Sequence, residues 1–384
     1  MKLSYPSNPS KTFTFSISST SSTKVILVRH ARTTYNEQGR YQGSSNESVL
    51  TAKGHQDAYA TGLALKEYNF DAIYTSPLKR VQQTTQEIIT ALGNDNAPSV
   101  YNERLLTEIR MSHWQGLYYQ DVKERFTEAY KCWQNTPHIF SFGNVYPVLE
   151  LFEKARWFWQ KVLSKHQGQT ILIVAHGGTN RALISTAVGL QPANYHSLQQ
   201  SNCGISCLEF TSNNDGKLKY LNATDHLGET LPKLKAGKTG WRWLLLSETN
   251  VKILKNCSLF DRLGDRKAIN LLLTEQSISE LLAQKLATKY QIPHLPLAAN
   301  HFSNWQQTII SRQKSPISLE QPHLTTSLII ASDKLITRIL NNTFQINASH
   351  TRDGLTVIHY PQTTNRTILQ GILPLTSSLV TLIQ

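Results

Sequence analysis

Two histidines and two arginines of this 384-residue chain follow short apolar runs, where a ligand could reach them. Arg29 and His30 close the run Val25–Arg29, Arg80 lies shortly after Asp71–Thr75, and His176 follows Thr170–Ala175 directly. Such runs read as buried parallel strands, and in an open α/β sheet ligands bind beyond the carboxyl ends of the strands. All four side chains are therefore expected in one crevice. A phosphoryl group is the ligand that suits them. Arginine presents a planar fork to phosphate oxygens, and a helix N-terminus near Ser76–Arg80 would add backbone donors. A neutral imidazole can attack phosphorus and hold the group covalently, dividing one hard displacement into two easier ones. Charge on the equatorial oxygens would be met by the arginines and by the second histidine once protonated. A leaving alkoxide also needs a proton, and Glu108, in LLTEIRMSHWQG, is the candidate acid. Singly these residues say less: an Arg-His pair is more often a satisfied buried histidine, and Glu108 alone could be a solvated loop carboxylate. Their convergence carries the reading. No DxDx or P-loop run is present to bring in magnesium, so no metal and no cofactor are expected.

The elements that must position these groups alternate along the chain. A helix is expected over Thr51–Tyr68 with Thr51 as N-cap, and a strand over Asp71–Thr75. Ser76-Pro77 offers an N-cap followed by proline at the first helical position, opening a helix that runs to about Leu92 and ends at Gly93. Segments 118–130 and 147–166 read as helices, the second with Phe152, Trp157, Phe158 and Trp159 on a core-facing stripe. Gly177-Gly178 leads into a helix ending near Gly189. This alternation argues for an α/β fold of three αβα layers around a mostly parallel sheet.

Length favours two domains. Residues 1–23, with 8 Ser, 4 Thr and no acid, read as a flexible tail; 24–226 as the catalytic domain; 227–240 (LGETLPKLKAGKTG) as a linker; 241–384 as a second domain. The second domain reads as a worn copy of the first. TSLIIASDKLITRILNNTF (326–344) lines up with TILIVAHGGTNRALISTAV (170–188), LTEQSISELLAQKLATKY (273–290) with LTAKGHQDAYATGLALKE (50–67), and Trp243–Leu246 with the first strand. Ser247-Glu248-Thr249-Asn250 then stands where Arg-His is expected, and Ala331-Ser332-Asp333 replaces Ala175-His176-Gly177, so this half should be inactive.

Composition narrows the setting. Hydrophobic residues at 40% and charged residues at 17% describe an ordinary soluble chain, and no apolar run approaches the roughly 20 residues of a membrane span. Of the four cysteines only Cys203 and Cys207 lie close together, with no partners at zinc spacing, which suits free thiols in a reducing compartment. A cytoplasmic protein is expected, or one of the plastid stroma if the tail is a presequence, although the tail has no Arg and no apolar segment. The net charge of +13 is concentrated in residues 231–384, which hold 17 basic and 8 acidic groups against 20 and 18 in residues 24–230. The basic residues are scattered rather than in runs, so a solvated surface is expected in preference to a nucleic-acid site. The expected partner is a small phosphorylated metabolite, with no nucleic acid and no membrane; nothing sets an oligomeric state.

VRHARTTYNEQGRYQG (28–43) resembles the RHGETxxN signature of the phosphoglycerate mutase-like histidine phosphatases. YTSPLKRVQQT (74–84) resembles their S-x-x-x-R segment, LLTEIRMSHWQG (105–116) the segment bearing their acid, and VAHGGTNRA (174–182) their second-histidine motif. The resemblance covers about residues 24–225. It implies His30 as nucleophile, Glu108 as proton donor, Arg29, Asn36, Arg80, His176 and Gly177 about the phosphate, and Gln42 and Gly43 lining the substrate side. Two positions depart from it: Ala31 stands where glycine is usual, and Arg32, where an acid is usual, would add positive charge beside the nucleophile. The family includes phosphatases and mutases. Ser112–Phe142 is similar to the compact lid of the phosphatase branch, which implies hydrolysis, with mutase-type phosphoryl transfer as the alternative. A non-catalytic phosphosugar-binding regulator is a third reading, against which the retained nucleophile argues. The tandem arrangement with QSNCGIS (200–206) is similar to two-domain proteins of photosynthetic organisms that include phosphatases of 2-carboxy-D-arabinitol 1-phosphate, implying a phosphorylated sugar or sugar acid as substrate.

Overall fold

The computed structural model describes residues 22–93, 98–211, 216–250, 269–276, 280–313, 323–346, 354–362, 364 and 366–374. The tail reading of residues 1–23 therefore lies outside the described residues except for its last two, and Thr23 already begins a strand. Twelve strands form one sheet. The first half supplies β1 (Thr23–Arg29), β2 (Ala72–Thr75), β3 (Ser99–Asn102), β4 (Thr170–Ala175), β5 (Ile205–Phe210) and β6 (Gly216–Ala223). The second supplies β7 (Gly240–Ser247), β8 (Leu271–Glu275), β9 (His294–Leu297), β10 (Leu324–Ala331), β11 (Gly354–Pro361) and β12 (Ile368–Pro374). Their order is β3-β2-β4-β1-β5-β6-β12-β11-β7-β10-β8-β9. The outer four strands of each half are parallel, and the central pairings are antiparallel.

Around the first six strands lie α1 (Thr34–Gln38), α2 (Ala52–Ala64), α3 (Lys79–Leu92), α4 (Tyr119–Arg125), α5 (Thr127–Asn135), α6 (Pro147–Leu163) and α7 (Gly177–Val188). Alternation along the strands separates the two faces. Ile26, Val28, Ile73, Leu172 and Val174 pack with Val81 and Ile88 of α3. Val25, Leu27, Ile171 and Ile173 pack with Phe152 and Phe158 of α6 and Leu183 of α7. Three layers result, as expected. This second cluster also contains Leu221, Leu369, Trp243, Ile329 and Ile336, so one apolar core runs across the seam where Leu221 of β6 pairs with Ile372 of β12.

Several elements depart from expectation. Thr51 caps α2 through its side chain, but the helix ends at Ala64 because Leu65 already bonds back to Thr61, Gly62 and Leu63. Ser76 does not cap α3: the helix begins at Lys79 after Leu78, without a side-chain cap. Segment 118–130 breaks at Phe126 (φ −124°, ψ 43°) into α4 and α5. On α6, Phe152, Phe158 and Trp159 are buried, whereas Trp157 is exposed.

The second half repeats the sheet places of the first. β7 and β10 stand as β1 and β4 do, and their registers agree: Arg29 pairs with Ala175, and Ser247 with Ala331. The residues one step beyond are His30 and His176 in one half, Glu248 and Ser332 in the other. The expected match of 273–290 with 50–67 does not hold. Leu271–Glu275 is a strand in the sheet place of β2, and the helix Glu280–Tyr290 after it takes the place of α3. The registers explain why: Ala72 faces Ile171, and Leu271 faces Ser327.

Candidate active site

His30 leaves β1 as its backbone N–H donates to Ala175 O of β4 at 2.9 Å, which puts it beside His176 at the end of that strand. The two rings stand edge to face with centroids 5.4 Å apart. His30 Nδ1 lies 2.8 Å from Ala31 O. A carbonyl can only accept, so Nδ1 carries the proton and Nε2 the lone pair. Burial first, then the guanidiniums of Arg29 and Arg80, holds this imidazole well below its usual range, so it is neutral around pH 7. That is the protonation state a nucleophile needs.

The two arginines are fixed by backbone acceptors rather than by carboxylates. Arg29 Nη1 donates to Gln200 O at 2.9 Å. Arg80, fully buried, donates from Nη1 to Ser45 O at 2.7 Å and from Nη2 to Gly43 O at 2.8 Å. Burial pulls Arg80 down to about 10, which leaves it charged at neutral pH. Both Nε atoms are buried with no partner among the described residues. Burial without a counterion is costly for a guanidinium, and an incoming phosphate relieves that cost.

His176 explains Ser76. Its Nε2 lies 2.8 Å from Ser76 Oγ, so the serine orients this ring in place of capping α3. Burial, then Arg80, His30 and Arg29, keeps His176 neutral too in the free protein. Its buried Nδ1 has no partner among the described residues. The backbone donors expected at the start of α3 are partly engaged, since Lys79 N donates to Asn46 Oδ1 at 2.7 Å.

Glu108 sits at the N-terminus of α7. Its carboxylate accepts from Ile109 N (2.8 Å), Gly178 N (3.0 Å), Thr179 N (3.1 Å) and Thr179 Oγ1 (3.3 Å). The helix dipole favours a negative group there. Arg29, His30, Asn36, Gln42, Gly43, Arg80, Glu108 and Gly177 all line one cleft of about 410 Å³. Gln42 is held by Thr33 Oγ1 at 3.1 Å. Gly43, at φ +50°, serves through its carbonyl, which fixes Arg80. Gly177 lies against Arg29: a Cβ on it would stand 3.1 Å from Arg29 Nε.

One departure from the family signature changes meaning. Arg32 does not add charge beside the nucleophile; it is about half exposed and pairs with Glu37 at 3.2 Å. Ala31 is fully buried and its N–H donates to Thr84 Oγ1 at 3.0 Å.

Sequence reasoning missed five contributors. Asn202 Nδ2 donates to His30 O (3.0 Å), Ala31 O (3.2 Å) and Asn36 Oδ1 (3.0 Å), tying the nucleophile loop to α1. Its neighbour Cys203 donates its N–H to Arg29 O at 3.0 Å. Tyr119 and Arg181 line the cleft, as does Lys235, which lies inside the stretch read as a linker and donates to Gln200 O at 2.6 Å. The QSNCGIS segment was the available signal for Asn202. Nothing in the sequence marked Lys235.

Residues 25–224 match the histidine phosphatase superfamily (branch 1). The chain belongs to that superfamily. Among its relatives is a protein named probable 2-carboxy-D-arabinitol-1-phosphatase from Arabidopsis thaliana, 42% identical over 50% of this chain and 39% of its own length. Another is phosphoserine phosphatase 1 of Hydrogenobacter thermophilus, 31% identical over 54% of this chain and 95% of its own. A solved phosphoserine phosphatase from Entamoeba histolytica, bound to phosphoserine, is 26% identical over 53% of this chain and 99% of its own, with a TM-score of 0.46. The chain spans about two fifths of the length of the first curated relatives it matches. The histidine phosphatase match ends one residue past β6, the strand that pairs with β12 at the seam.

Proposed function

We propose that the N-terminal half hydrolyses phosphomonoesters of small phosphorylated metabolites through a phosphohistidine on His30. The observation that carries this is the neutral, buried imidazole whose Nδ1 is tied to Ala31 O, set among Arg29, Arg80 and His176. His30 Nε2 attacks phosphorus in line with the leaving oxygen; Glu108 takes up a proton when the phosphate dianion binds beside it and passes that proton to the leaving oxygen as the P–O bond breaks. Water then attacks the phosphohistidine, returning a proton to Glu108 and freeing Nε2. Arg29, Arg80 and Asn36 hold the non-bridging oxygens, and His176, neutral before substrate arrives, gains a reason to protonate once a dianion lies beside it. The route needs no metal, because the guanidiniums supply the positive charge. Hydrolysis is favoured over mutase-type transfer by the short lid. Between Ser112 and Phe142 its buried aromatics Trp114, Trp133 and Phe140 pack on each other, and Tyr119, Tyr130 and Trp133 face the cleft.

The C-terminal half we read as a second copy without chemistry. Glu248 and Ser332 stand at the sheet positions of His30 and His176, and neither can serve as an imidazole does. Among the described residues, no helix is long and apolar enough to cross a membrane. The free thiols of Cys132, Cys203 and Cys207 suit a reducing compartment, the cytoplasm or a plastid stroma. The test is turnover of p-nitrophenyl phosphate and a panel of sugar phosphates by the full chain with EDTA present. Release of phosphate that EDTA leaves unchanged supports the reading; activity abolished by EDTA and restored by magnesium contradicts it.

A further inference from the structure

Beside the cleft that holds His30 lies a second cavity of about 660 Å³, walled by both halves of the chain. α4 and α5 contribute Lys123 and Lys131, and the turn between β11 and β12 contributes Arg366. Arg181 and Lys235 line this cavity and the His30 cleft alike, so the two spaces adjoin. Lys131 has an acidic partner in Glu128 at 2.7 Å. Among the described residues, no carboxylate lines the cavity and none pairs with Arg181, Lys235 or Arg366. Arg181 is instead fixed by donation from Nε to Leu198 O at 2.7 Å, and Lys235 by donation to Gln200 O at 2.6 Å.

Arg29 and Lys235 donate to the same carbonyl, Gln200 O, and Lys235, Arg181 and Arg366 line the second cavity. Burial pulls Arg366 down to about 10, and Arg181 beside it adds to the effect. Burial, with Arg29 and Arg181 adding to the effect, also holds Lys235 well below its usual range; an anion that enters favours its charged form and relieves the repulsion between the guanidiniums. Arg181 and Lys235, each held by a backbone carbonyl, have further N–H donors to offer such a ligand.

We propose that this cavity is a second anion site of the substrate: the chain takes a phosphomonoester bearing a further carboxylate or phosphate, which Arg366 holds with Arg181 and Lys235. The proposal rests on the hydrolase reading above for its reaction, and it gives the C-terminal half a part in specificity without chemistry of its own. The second anion stays bound while the first phosphate is transferred to His30, so it raises affinity and leaves the chemical step alone.

Binding is measured by calorimetry on the full-length His30→Ala protein, so that ligand is not consumed. Two matched pairs serve as probes: 3-phosphoglycerate against glycerol 3-phosphate, and fructose 1,6-bisphosphate against fructose 6-phosphate. The expected result is that a two-anion member binds on the order of tenfold tighter than its mate, as one charge-assisted contact set implies. Arg366→Ala on that background should erase the preference and leave the single-anion mate unchanged, while Arg366→Lys keeps part of it. Arg366→Gln is run in parallel, with thermal melts to show that the variants are folded. Which pair responds tells a carboxylate from a phosphate. No preference in either pair, or equal weakening of both mates by the Arg366 substitutions, overturns the proposal. Turnover of p-nitrophenyl phosphate by the unsubstituted chain is scored separately. Its absence alongside an intact binding preference would remove hydrolysis and leave the anion site standing.

Discussion

Gly178→Ala probes the proton donor without touching it. A Cβ at Gly178 would fall inside the 3.0 Å that real Cβ contacts do not cross, against both Glu108 Oε1 and Tyr195 Oη, with Glu108 Cδ at 3.1 Å. Tyr195 is buried and cannot retreat. Glu108 must therefore move, by about 1 Å if its oxygen is to regain ordinary contact, and it weakens its bonds to Gly178 N and Thr179 N as it goes. A displacement of about 1 Å can cost about 100-fold, which is also the low end of what a general acid contributes. The assay compares kcat for an alkyl phosphate with kcat for p-nitrophenyl phosphate, whose leaving group needs little protonation. Gly178→Ala should lower the first about 100-fold and the second about tenfold or less, and Glu108→Gln should show the same split. Gly177→Ala supplies the contrast, since its Cβ presses on Arg29 Nε and should slow both substrates alike. Equal losses for both substrates in Gly178→Ala would refute Glu108 as the acid.

Ser76→Ala removes the hydroxyl that holds His176 Nε2, and kcat/KM should fall about tenfold with folding intact, as expected for one buried hydrogen bond; an unchanged rate would mean the serine only packs. Stability should fall as pH drops from about 7 toward 5. Burial depresses the folded-state pKa of His30, His176 and His226, the last to about 4, so below about 6.5 the unfolded chain binds protons that the folded chain refuses. The slope should reach up to about 1.4 kcal/mol per pH unit for each histidine. Thermal melts across that window check it, with His226→Gln removing one proton's share; a flat profile would contradict the neutral assignment. In the full-length His30→Ala protein no phosphatase activity should remain, because Glu248 and Ser332 stand at the sheet positions of the two histidines. Residual turnover insensitive to EDTA would locate chemistry in the second half.

What the sequence disclosed about this chain followed its strands. Val25–Arg29 and Thr170–Ala175 are buried on both faces and end at charged or ring side chains, so period and burial alone put Arg29, His30 and His176 at one sheet edge. Ser76 misled because Ser-Pro is a strong capping signal, and only the sheet register reveals that it faces His176. Lys235 was hidden because its segment is rich in Gly, Pro and Lys, which marks a connection but not where that connection lies. Arg32 was expected to add charge beside the nucleophile because it stands two places from His30, yet its side chain turns to Glu37 of α1 and pairs with it in solvent. In the second half, the expected strand and helix over 326–344 are present as β10 and the helix Asp333–Phe344. The expected match of 273–290 with 50–67 failed because a helix-rich stretch carries weaker register information than a strand pair fixed by its neighbours.

The central claim is a covalent phosphoryl group on His30 Nε2. The most direct measurement incubates the full-length protein with a phosphorus-labelled substrate, quenches within the first turnover, and maps the label by peptide mass spectrometry. Label is expected on the peptide containing His30, lost in acid and kept in alkali, and absent from the His30→Ala protein. Label on a serine, threonine or carboxylate, or stoichiometric label that survives His30→Ala, would contradict it.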